Sequence, residues 1–107
     1  MANTITNSHG KSVLHLDTTD AAITLAELTA TDEATVTGAK IVDIFWNCAS
    51  NASVKIDRND VDVHTFTGSG HWNLSQAGTC LSGNNAHDIG ITFTNDAYAI
   101  IIIHKLH

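Results

Sequence analysis

The chain has no proline in 107 residues, so its turns must be built by Gly, Asn, Asp and Ser, which reach tight geometry through positive φ or side-chain hydrogen bonds. Cysteine is nearly absent as well. Cys48 and Cys80 are too few for a disulfide scaffold, and their spacing gives neither a CxxC pair nor a four-ligand zinc pattern. Free, buried thiols are expected. Basic residues are scarce: five against eleven acidic ones, for a formal charge of -6. Lys11, Lys40, Lys55, Arg58 and Lys105 are scattered, so no patch exists to displace counterions from a phosphate backbone, and nucleic acid is excluded as an expected partner. The same balance argues against an anionic membrane surface. The longest apolar run, Ala97 to Ile103, is about a third of the roughly 20 residues a spanning helix needs, so no membrane partner is expected. The opening residues Met1 to Thr6 lack a basic region followed by an apolar stretch, which predicts synthesis in a cytoplasm without a secretory signal.

What is present is a folding composition, 43% hydrophobic and only 15% charged, at a length suited to one domain. Gly, Asn, Asp and Ser clusters separate apolar segments at short intervals. Asn3 to Thr6 and Ser12 to Asp17 predict two strands turning at His9-Gly10. Asp20 to Glu33 mixes helix and strand formers and is read as a short strand followed by a loop or helical turn, after which an Ala- and Thr-rich connection leads to Gly38. Ile41 to Trp46 joins β-branched and aromatic residues in a central strand. Ser53 to Asp57 and Val61 to His64 flank Arg58-Asn59-Asp60 as a hairpin. Gly68-Ser69-Gly70 predicts a bend before a segment around Trp72. Asp88 to Thr94 alternates well, and Tyr98 to His104 is expected to return beside it through a tight turn at Asn95-Asp96. Ile100 to Ile103 predicts a strand covered on both faces, by the protein itself or by a neighbouring subunit. The predicted fold is all-β: an antiparallel β-sandwich or jelly-roll-like single domain over residues 1–107, with about eight short strands.

The candidate chemical motifs fail individually. Seven histidines, at 9, 15, 64, 71, 87, 104 and 107, show neither HxH nor HExxH spacing. Asp57 to Asp62 crowds oxygen ligands like a calcium loop but has Asp62 where Gly is required and no closing Glu. Gly68-Ser69-Gly70 is too narrow for a nucleophile elbow and is not followed by the GK[ST] of a phosphate loop. The expectation is therefore a non-enzymatic chain with no catalytic residues, no cofactor and no metal. Two other classes are weighed beside it. A carbohydrate-binding, lectin-like module would stack sugars on Trp46 or Trp72, against the alternative that both pack in the core. A cupin-like metal enzyme would need at least three converging ligands from His64, His71, His87 and His104.

The stretch Val36-Thr37-Gly38-Ala39-Lys40-Ile41-Val42-Asp43-Ile44-Phe45-Trp46, then Val54 to Arg58 and Phe66 to Leu74, resembles small virion structural proteins of tailed bacteriophages, notably marine ones. Ile89 to Thr94 and Ala99 to Lys105 fit the same likeness, which covers Lys40 to the C-terminus. The resemblance implies a β-rich capsid decoration or cement protein, located on the capsid surface and synthesised in the host cytoplasm. It further implies the major capsid protein as partner and a homo-oligomer with a trimer favoured; residues 1–11 are expected to form a capsid-contacting N-terminal arm, because terminal segments are readily ordered on binding.

Overall fold

In the computed structural model, residues 3–58, 61–74, 76 and 85–107 are described. Nine strands and one 3-10 turn follow one another: β1 Thr4–Ser8, β2 Lys11–Leu16, β3 Asp20–Ile23, the turn Ala26–Leu28, β4 Gly38–Cys48, β5 Ser53–Arg58, β6 Val61–Phe66, β7 Ser69–Asn73, β8 Ile89–Thr94 and β9 Ala97–Leu106. They form two antiparallel sheets, sheet A in the order β1-β2-β9-β4-β7 and sheet B in the order β3-β8-β5-β6. The fold is an all-β sandwich, with nine strands where about eight were expected.

Alternation explains the layering. Leu14 and Leu16 of β2, Ile41 and Ile44 of β4 and Ile101 and Ile103 of β9 face inward from sheet A, while Val54 and Ile56 of β5 and Ile89 and Ile91 of β8 meet them from sheet B. All ten are essentially inaccessible, and each buried aliphatic side chain contributes about 1.5–3 kcal/mol. An extra residue in β4 between Ile41 and Asp43 buries Val42 and resets the alternation beyond it.

The N-terminal hairpin forms as expected, with Gly10 at φ 79 in its turn. The short strand and helical turn after Asp20 also form, and β5 and β6 pair as a hairpin. Residues 59 and 60 of its expected turn lie outside the described residues, as do 77–84, which include Cys80 and much of the expected loop at 82–85. One expectation is overturned. β8 and β9 are not partners: β8 lies between β3 and β5 in sheet B, whereas β9 lies between β2 and β4 in sheet A. Asn95, at φ 61, turns the chain from one sheet to the other, and Asn95 Nδ2 donates to the Asn51 carbonyl at 2.5 Å to hold that crossing. The isoleucine run divides accordingly, Ile101 and Ile103 inward and Ile100 and Ile102 half-exposed on the outer face.

The N-terminal segment is built into the sheet. Residues 4–8 of the expected arm pair with β2 in unbroken register from Thr4↔His15 to Ser8↔Lys11, and Asn3 Oδ1 accepts the Asp17 and Thr18 N–H groups. No helix among the described residues is long and apolar enough to cross a membrane.

Candidate binding surface

Register places the outward residues of sheet A in rows. Lys11, His104 and Lys40 stand side by side on β2, β9 and β4. The next row is Thr6, Val13, Ile102, Asp43 and Asn73, and the one after it Thr4, His15, Ile100, Phe45 and His71. Tyr98, Asn47 and Ser69 follow. The middle of this face is therefore apolar, carried by Val13, Ile100, Ile102 and Phe45, with Phe45 38% and Tyr98 49% exposed. Polar side chains rim it.

At the Tyr98 end the face dips into a concavity of about 1030 Å³, lined by Thr4, Thr6 and His15 on one side and Asn47, Asp96 and Tyr98 on the other, with Asp17 at its edge. Asn47 Nδ2 lies 3.4 Å from the Tyr98 hydroxyl, at the long end of hydrogen bonding. Toward β7, His71 stacks flat on Phe45, ring centroids 3.9 Å apart, and its Nε2 is 3.5 Å from Asp43 Oδ1. Among the described residues that buried oxygen has no hydrogen-bond partner.

The tryptophans face the other way. Trp46 packs on Phe66 at 4.4 Å and edge-on to Trp72 at 5.9 Å, and both rings, half-buried, adjoin the core with His64. Trp46 Nε1 donates to the Thr67 carbonyl at 3.0 Å. Gly70 permits this packing, because a Cβ there would stand 2.6 Å from Trp46 Cζ2. Gly70→Ala is accordingly expected to destabilise the fold by about 1–3 kcal/mol, measured as a lower urea midpoint with altered tryptophan fluorescence. An unchanged midpoint would contradict the fixed ring position.

Two charged clusters are structural. Glu33, 1% exposed, accepts hydrogen bonds from the Ala30 N–H at 2.8 Å, the Gly10 N–H at 2.7 Å, Lys105 Nζ at 2.5 Å and His107 Nε2 at 2.8 Å. Burial alone would raise its pKa, but the two backbone donors and then Lys105 and His107 outweigh it and hold the carboxyl well below the usual range. Lys105, fully buried at its side chain, also donates to the Leu28 carbonyl at 2.6 Å. Arg58 is equally buried, and its guanidinium donates to the Ala39, Asn85 and His87 carbonyls.

The four histidines of the cupin-like reading do not converge: His64 packs by Phe66 and Trp72, His71 and His104 lie at different places on the outer face, and His87 precedes β8. Among the described residues no three His, Cys, Asp or Glu side chains come together as a metal-holding group. Cys48 is a free thiol 3.8 Å from the Phe66 carbonyl, and burial pushes its pKa up, away from the reactive thiolate. The apolar outer face of sheet A escaped sequence reasoning as a candidate surface, although the isoleucine run pointed to its middle. Comparison with protein-family models, with curated proteins and with solved structures finds no match.

Proposed function

We propose that the chain is a non-enzymatic virion structural protein, a capsid decoration or cement subunit that binds the assembled head. The observation that carries this reading is the unguarded β1 edge of sheet A, whose opposite edge, β7, is likewise uncharged and regular. Proteins protect exposed edges with bulges, prolines, charges or very short strands. β3 is four residues with an irregular register, and β6 carries Asp62 and a bulge at Val63. β1 has none of these: Thr4-Ile5-Thr6-Asn7-Ser8 is uncharged, regular and paired only with β2. Among the described residues its backbone makes no hydrogen bond beyond that ladder.

Such an edge is suited to take up an extended segment of a shell subunit as an added strand, backbone bonds giving affinity and alternate side chains giving selectivity. The N-terminal segment thus keeps its expected contact role, as a pre-ordered strand instead of a free arm. A ligand that binds only the assembled shell stabilises it by mass action, and repetition over a symmetric lattice multiplies modest contacts. The resemblance of the chain from Lys40 to the C-terminus to small phage virion proteins adds the setting.

The test is quantitative mass spectrometry of density-purified particles from the phage that encodes the chain. The expected result is this protein at a fixed ratio to the major capsid protein, reduced at least tenfold when Ile5, whose N–H points away from β2, is replaced by proline, which removes that N–H from the edge. Its absence from particles overturns the reading.

A further inference from the structure

The open face of sheet A is polarised along its strands. At one end Lys11 and Lys40 flank His104; at the other, Asp17 and Asp96 rim the concavity beside Tyr98, with the apolar rows between. In a chain with five basic residues and eleven acidic ones, two of the five stand together on this face. Neither Lys11 nor Lys40 forms an ion pair with any described residue, and the same holds for Asp17 and Asp96.

We infer that a second copy of this chain docks here, face to face, about a twofold axis that lies between the sheets and runs perpendicular to their strands. That axis reverses strand direction but keeps each strand's place across the sheet. The Lys11 end of one copy then covers the Asp17 end of the other, and by symmetry the pairing occurs twice. Lys40 and His104 lie toward the Asn47, Tyr98 and Asp96 end of the opposing copy. Ile100 of each copy meets Ile102 of the other, closing the apolar middle from both sides.

Charge selects this axis over its alternative. A twofold parallel to the strands would bring Lys11 over Lys40, like charge on like charge in a desolvated contact. Either axis keeps the strands of the two stacked sheets nearly aligned, as face-to-face sheets pack within about 30°, so the charge pattern makes the choice. Size is adequate too. Five strands spaced about 4.8 Å apart, crossed by a central strand rising about 3.3 Å per residue, present roughly 600 Å² in projection. Side-chain relief brings that near the ~800 Å² per partner of a stable interface. Shell contact through the β1 edge is compatible with the dimer, because the edge lies beside the stacked faces.

Sedimentation velocity of the full tag-free chain tests this. The expected result is a mass twice the 11.4 kDa of one chain, populated increasingly with concentration. Ile100→Lys is expected to weaken association at least tenfold with an unchanged far-ultraviolet circular dichroism spectrum. Lys11→Asp and Asp17→Lys should each weaken it by a similar factor, and the double variant K11D/D17K should restore it, since the two sites face each other reciprocally. A monomer at all concentrations overturns the inference, as does a trimer, or a dimer indifferent to all three single changes. A double variant that stays as weak as its parents overturns the axis. None of these outcomes bears on whether the protein is found in particles.

Discussion

Replacing Arg58 by methionine is expected to lower stability by about 3–5 kcal/mol, a large share of the roughly 5–15 kcal/mol that holds such a domain together. The side chain is inaccessible to water and lies at the end of β5. Nη1 donates to the Ala39 carbonyl at 2.9 Å, and Nη2 to Asn85 at 2.9 Å and His87 at 2.7 Å, with Nε 3.2 Å from His87 as well. One planar fork therefore ties sheet B to β4 of sheet A and to the segment entering β8. Methionine fills the stem's volume but donates nothing. The Ala39 and His87 carbonyls each lose a donor, at about 1–3 kcal/mol for a buried acceptor left short. Arg58→Lys should recover only part of the loss, because a single ammonium cannot reproduce the fork. Urea denaturation measures both, and a loss below about 1 kcal/mol for the methionine variant would show that these bonds do not carry the sandwich closure.

Glu33→Gln is the second expected large effect, and its signature is in the pH dependence. The amide that replaces the carboxylate has no charge to balance the buried Lys105 ammonium and cannot accept from all four donors with both of its terminal atoms. Glu33 titrates below its ordinary 4.5 in the folded chain, so below that value the unfolded chain takes up the proton more readily than the folded one. The stabilisation it supplies is complete above about 4.5 and drains away as pH falls through the depressed value. The wild type should thus exceed E33Q in urea midpoint at pH 7, and the gap should narrow steadily from pH 4.5 toward pH 3. A gap constant across that range would mean that the carboxylate charge is not what holds Lys105 and His107 in place.

The two hairpins were legible because their signals are local: turn residues between short apolar-polar alternations, with the register following from the turn. The pairing of β8 and β9 was not. Asn95-Asp96 has the same composition whether the chain reverses within a sheet or crosses to the opposite one. What decides it is the Asn95 bond to Asn51 and the Ala49 N–H on the Asp96 carbonyl, 44 and 47 positions away in sequence. Arg58 read as part of a hairpin turn and Glu33 as part of a surface connection for the same reason. The partner of Glu33 is 72 residues distant, and burial of a charge is specified by that partner and not by its neighbours. The isoleucine run carried more information. Its inner half defines the core and its outer half marks the apolar middle of the open face of sheet A.

The place of β9 in sheet A also fixes an order of events during synthesis. β9 lies between β2 and β4, yet it follows all eight other strands along the chain. Until it leaves the ribosome, β1 with β2 and β4 with β7 are two separate ribbons, each too small to be stable in water. Completion of the sheet is then a single late closure of long loops, which favours slow folding in the millisecond to second range. The outer face, whose middle is Ile100 and Ile102, does not exist before that step. A nascent chain consequently cannot present that face to a neighbour before β9 has joined the sheet.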